Sequence, residues 1–67
     1  MRVTVEILGG ETHEIELPED ATYAELLDVV EYSPQAVSVL VDGTPVPEDA
    51  PVEADRVQVL RMIRGGR

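Results

Sequence analysis

Two consecutive glycines, Gly65 and Gly66, stand one residue before Arg67 at the end of this 67-residue chain. Neither carries a Cβ, so the pair adopts nearly any backbone conformation and fits a channel too narrow for side chains. A tail that must enter another enzyme's active site needs that profile. A Gly-rich end that simply frays, or an added scar, is the plain alternative, and the tail alone does not choose between them. The other residue types that do chemistry are sparse. There is no Cys, which removes disulfides, thiolate metal sites and a cysteine nucleophile. The one His, His13, shares its strand side with Ile15 and Leu17 and has no nucleophile implied near it, so it reads as a strand-end structural residue. Glu48, Asp49, Glu53 and Asp55 form a carboxylate cluster without calcium-loop spacing, hence a solvated acidic loop. Tyr23 and Tyr32 flank an expected helix and suit the edge of a core better than a cofactor. Gly9-Gly10 marks a turn and not a phosphate loop, because no helix starts after it. No catalytic pair and no metal set can be assembled, so an enzyme is the least favoured class.

Charge narrows the partners further. Fourteen Asp and Glu stand against five Arg, giving a net charge of -9. That surface repels phosphate backbones and anionic membranes, so neither nucleic acid nor membrane is an expected partner. Acid enrichment without any Lys resembles proteins of salt-loving organisms, in which salt screens the self-repulsion. A domain this small buries only about 60% of its unfolded surface, which leaves no room for a large cleft. No apolar run approaches the length of a membrane span, and no signal-peptide core opens the chain. The expectation is a cytoplasmic, soluble monomer.

The elements that must position the tail follow from periodicity. Arg2-Val3-Thr4-Val5-Glu6-Ile7 alternates at period two, a half-buried strand with Val3, Val5 and Ile7 inward. Gly9-Gly10-Glu11 turns the chain, and His13-Glu14-Ile15-Glu16-Leu17 alternates again, so the pair reads as a hairpin. Thr22 with Glu25 matches a capping box, predicting a helix from Tyr23 to about Glu31 that Ser33-Pro34 stops. Val37 to Val41 reads as a strand, Asp42-Gly43 as a tight turn, and Val46 as a short return. Pro45, Pro47 and Pro51 make the stretch to Asp55 irregular. A last strand starts at Arg56 and continues to about Ile63. The predicted class is α+β, a β-grasp: a mixed four- to five-stranded sheet with one helix on one face, the final strand inserting beside the first. Residues 1–63 form the domain and 64–67 a flexible tail. The predicted core is Val3, Val5, Ile7, Ile15, Leu17, Leu26, Leu27, Val30, Val39, Val41, Val57 and Val59.

With that order and length, the terminal Leu60-Arg61-Met62-Ile63-Arg64-Gly65-Gly66 resembles the ends of the ubiquitin-like β-grasp family. The segments Val39-Leu40-Val41-Asp42-Gly43, Val46-Pro47-Glu48-Asp49 and Asp55-Arg56-Val57 look like the small archaeal modifier proteins, relatives of the sulfur carriers of molybdopterin and thiamine synthesis. The resemblance covers nearly the whole chain. It implies a co-substrate and not an enzyme. An activating enzyme, using ATP and Mg²⁺, joins the terminal Gly carboxylate to AMP. A persulfide sulfur then takes the acyl group to give a thiocarboxylate, or a target lysine takes it to give an isopeptide bond. Gly66 would carry the reactive carbonyl and Gly65 would permit threading. Arg67 departs from the family pattern, because it makes Gly66 an internal amide. Either a processing peptidase removes Arg67, or Arg67 is an added residue, or the chain is not conjugated.

A docking surface is also expected. If Val39, Val41, Val57 and Val59 face inward, Leu40 and Leu60 face outward on neighbouring strands, and ubiquitin-like proteins dock partners on the corresponding surface. Arg61, Met62 and Arg64 at the tail's base extend that docking set. Exposed leucines are also common on surfaces with no partner. The competing function is a non-covalent β-grasp binding module that works through Leu40 and Leu60 alone. With no Lys in the sequence, lysine-linked homopolymers are not expected, and only the Met1 amine remains.

Overall fold

The computed structural model describes residues 1–62. Strand β1 spans Arg2–Ile7 and β2 spans Thr12–Glu16. Helix α1 covers Tyr23–Val29, followed by β3 at Val37–Val41, β4 at Thr44–Val46 and β5 at Arg56–Arg61. The five strands form one sheet in the order β2-β1-β5-β3-β4. The β1 and β5 strands run parallel, with Val5 opposite Val57 and Ile7 opposite Val59. The other pairings are antiparallel. This is a ubiquitin-like β-grasp, with the last strand inserted beside the first as expected. Among the described residues no helix is long and apolar enough to cross a membrane.

The core gathers on one sheet face. Val3, Val5 and Ile7 of β1, Val57 and Val59 of β5, and Val37 and Val39 of β3 are buried against Leu26 and Leu27 of α1. Four residues in the core lie outside the sequence expectation: Ala21, Tyr23, Val37 and Val52. Conversely Ile15, Val30 and Val41 are half-buried and pack against the core from outside. Ile15 lies on the edge strand β2, and Val41 reaches toward the end of the sheet beyond a helix of only seven residues.

Tyr23, Ala21 and Val52 are buried because the Pro-rich loop does more than connect. The first N–H groups of a helix have no partner within it. Here Tyr23 N donates to the Ala50 carbonyl at 3.1 Å and Ala24 N to the Glu48 carbonyl at 2.8 Å. Glu25 N donates to Thr22 Oγ1, and Thr22 N to Glu25 Oε1 at 2.8 Å, completing the capping box. Val52 N donates to the Ala21 carbonyl at 2.9 Å, which draws Val52 under the helix. The prolines make this loop irregular, yet its carbonyls cap the helix.

The helix ends two residues earlier than Ser33-Pro34 implies. Glu31 adopts φ 66°, with Tyr32 N donating to the Leu27 carbonyl at 2.9 Å and Glu31 N to the Asp28 carbonyl at 3.2 Å. This is a Schellman closure with a glutamate at the position that favours glycine. A left-handed non-Gly residue is strained, so Glu31→Gly is expected to stabilise the fold by about 0.5–1 kcal/mol. The gain reads as a melting point higher by a few degrees for a domain of this size. An unchanged or lowered melting point would contradict it. Asp42 (φ 52°) and Gly43 (φ 78°) both take positive φ, the two-residue hairpin turn that matches strand twist.

Candidate functional site

The helix covers one face of the sheet and leaves the other open. By alternation the open face presents Ser38 and Leu40 from β3, Gln58 and Leu60 from β5, and Thr4 and Glu6 from β1. Leu60 is 43% exposed, whereas Leu40 is half-buried. Register sets their relation: Leu40 stands opposite Gln58, and Leu60 opposite Ser38. The two leucines are therefore diagonal neighbours on adjacent strands, about 7–8 Å apart and within side-chain reach, rather than a directly facing pair.

The base of the tail sits at the end of this sheet. Met62 N donates to the Ala36 carbonyl at 2.9 Å, which holds the chain just past β5. Met62 is 49% exposed. With Arg61 it borders an open notch of about 460 Å³ whose other walls are Leu8, Tyr32, Ala36 and Val37. Leu8 and Tyr32 were not in the expected docking set. Leu8 belongs to the β1–β2 turn, where its N–H bonds to the Val59 carbonyl at 2.9 Å, and Tyr32 follows the helix closure. The bond to Val59 brings Leu8, and the helix closure brings Tyr32, to the notch that Met62 borders. Arg64, Gly65 and Gly66, the tail residues singled out in the sequence, lie outside the described residues, as do Ile63 and Arg67.

The surrounding charge is acidic and weakly paired. Arg56 Nη2 lies 3.8 Å from Glu6 Oε1, and Arg2 reaches Glu16 at 3.5 Å and Glu14 at 3.9 Å. Such exposed pairs contribute little to stability. His13 Nε2 sits 3.2 Å from Glu11 Oε2. The Glu11 carboxyl is held below its ordinary value, first by a backbone hydrogen bond within Glu11 and then by His13, with a weaker attraction from Arg61. A depressed carboxyl contributes stability above its ordinary titration range and loses it as pH falls through the folded value. Glu11 is fully solvated, so this effect is small. Among the described residues no polar or charged side chain is buried, and no three His, Asp or Glu residues cluster as a metal site. The open face with its exposed Leu60 and Met62 is a surface on which a partner could dock. The described residues assemble no catalytic niche.

Comparison with known proteins agrees with this fold. The family described as small archaeal modifier protein 2 matches residues 1–63. Small archaeal modifier protein 2 of Haloferax volcanii is 59% identical over 66 residues, covering 98% of this chain and all of that protein. The crystal structure of the H. volcanii protein aligns with a TM-score of 0.75 at 58% identity, over 96% of this chain and 97% of that one. A ubiquitin from Caldiarchaeum subterraneum aligns at a TM-score of 0.73 with 15% identity, covering 98% of each chain, a likeness of fold alone.

Proposed function

This chain belongs to the small archaeal modifier protein 2 family, small ubiquitin-like modifiers and not catalysts, and from that premise we propose that Gly66 is its point of covalent attachment. The reading has an adenylating enzyme bind the open sheet face and the tail's base. Leu60, Leu40, Met62 and Arg61 contact it, and Gly65 threads the tail into its active site. The Gly66 carboxylate oxygen attacks the α-phosphorus of ATP, Mg²⁺ screens the phosphates, and pyrophosphate leaves. A persulfide sulfur or a target lysine nitrogen then attacks the acyl carbon, and AMP departs with the C–O electron pair. The lysine product is an isopeptide bond, its amine proton passing to solvent. The persulfide product is an acyl disulfide. A second thiolate of the sulfur-donating enzyme attacks that enzyme's own sulfur, breaking the S–S bond, leaving an enzyme disulfide and releasing the thiocarboxylate for sulfur-acceptor enzymes. ATP and Mg²⁺ belong to the activating enzyme and not to this chain. Where Arg67 belongs to the native chain, a processing peptidase has to hydrolyse the Gly66–Arg67 amide first, because only a free carboxylate can be adenylated. On this reading residues 1–63 are the docking body, residues 64–67 the delivered tail, and the setting is cytoplasmic.

One observation carries the proposal: a diglycine stands four residues beyond the end of β5 in a chain that matches the family across residues 1–63. Intact mass of the protein isolated from its own cells tests it. Loss of the arginine mass shows maturation, and replacement of one oxygen by sulfur shows the carrier state. A protein that keeps Arg67 throughout and yields no conjugates overturns the reading.

The non-covalent alternative draws on the exposure of Leu60 and Met62. Under the covalent reading, Leu60→Glu weakens binding to the activating enzyme at least tenfold, the loss expected of a central apolar anchor. Folding stability should change by no more than about 0.5 kcal/mol, since Leu60 faces solvent. Calorimetric titration and thermal melts separate the two effects. If Leu60→Glu abolishes function while deletion of the tail does not, the non-covalent reading wins.

A further inference from the structure

The chain is rich in acceptors of hydrogen bonds and poor in nucleophiles. These 67 residues hold no Lys and no Cys, and the amine they offer is that of Met1. The structure places that amine in a specific setting. The Met1 ammonium donates to the Leu17 carbonyl and lies 3.9 Å from Glu16 Oε2. In return, Leu17 N donates to the Met1 carbonyl at 2.7 Å. Met1 is thereby an added rung of the β1–β2 ladder, half-buried and packed against the core. As an ammonium this nitrogen has no lone pair, and to attack an acyl carbon it must lose a proton and give up the rung that holds it.

We propose that this modifier is one-way: it donates its acyl group but does not accept one, so each target site carries a single copy and no chain grows from it. The inference rests on the covalent reading above and adds a limit to it. Extension would require an amine of an attached copy to attack the acyl carbon of a second copy's adenylate. A C–N bond would form, the C–O bond to phosphate would break, AMP would leave, and the amine proton would pass to solvent. Lysine, the usual side chain for that attack, is missing. The one amine present is held at the start of β1. An attached copy is then a terminal mark, not a primer.

Two measurements test this, and they fail separately. The first needs no activating enzyme. The folded 67-residue protein and the same protein in guanidinium are treated with an acetyl N-hydroxysuccinimide ester at neutral pH, and acetylation is followed by intact mass. A hydrogen-bonded charged group should react at least about tenfold more slowly in the folded state. Equal rates in the two states would show the amine free and overturn the inference. The second follows conjugates in cells that make the wild-type chain or Glu19→Lys, a lysine on an exposed turn. Wild type should give conjugates with no joined copies, and Glu19→Lys should add a ladder at steps of one modifier mass. Joined wild-type copies linked through Met1 would overturn the inference. Conjugates without joined copies in Glu19→Lys would show that something other than the missing amine prevents chains, and would also overturn it. No conjugates from either protein would instead sink the covalent reading, leaving the acetylation rates to decide whether the amine is engaged.

Discussion

Deleting residues 65–67 is expected to leave the melting curve of the domain unchanged and to remove every covalent product. The last described hydrogen bond of the chain's end is Met62 N to the Ala36 carbonyl, and the described core ends at Val59. That described core is built from residues between Val3 and Val59. Thiocarboxylate and conjugates should fall below detection, because the proposed chemistry needs a carboxylate on a residue without a side chain at the partner's channel mouth. A softer variant, Gly66→Ala, keeps a carboxylate after processing but adds a Cβ. Placement errors of about 1 Å at a reacting atom cost on the order of a hundredfold in rate, and that is the loss expected here. Mass spectrometry of conjugates with thermal melts of the same proteins checks both halves. Conjugates surviving the deletion would refute the covalent reading.

The second large effect concerns the core. Leu26, on the inner face of α1, is fully buried and belongs to the core between the helix and the sheet. Leu26→Ala should cost about 2–5 kcal/mol, from lost transfer energy plus the cavity left behind. A domain of this size has on the order of 3–10 kcal/mol in total, so the variant should be largely destabilised or unfolded at room temperature. Denaturant titration measures the shift. Val29, at the outer face of the same helix and 51% exposed, is the control, and Val29→Ala should change stability by less than about 0.5 kcal/mol. Equal effects at the two positions would mean that the helix does not present the face described.

A small acidic β-grasp with the tail deleted should therefore remain folded, whereas one with a hole beneath its helix should not. On the proposed reading, docking and delivery depend on the open face and the tail's base. Stability depends on the covered face. That separation allows the docking variants at Leu60 to be read without ambiguity from unfolding.

Much of this was legible in the chain itself, because the signals are local. Alternation at period two marked β1 and β2, and Thr22 with Glu25 marked the helix start. Asp42-Gly43 marked the hairpin turn, since positive φ at two successive positions calls for such residues. The diglycine is a sequence feature that needs no fold to be noticed. Other features arise only from pairing across distance. The helix closes at Glu31 because Tyr32 and Glu31 amides find carbonyls one turn back, a closure that a glutamate does not advertise. Ala21 and Val52 are buried because the loop after β4 returns to cap α1, and a proline-rich stretch gives no sign of that role. Leu40 and Leu60 share a face by alternation, but their diagonal offset is a matter of register between β3 and β5. The notch walls at Leu8 and Tyr32, and the rung that holds the Met1 amine against Leu17, join residues far apart along the chain. Propensity and periodicity act over a few neighbouring residues, whereas register and capping by distant carbonyls are settled when the whole sheet closes on its core.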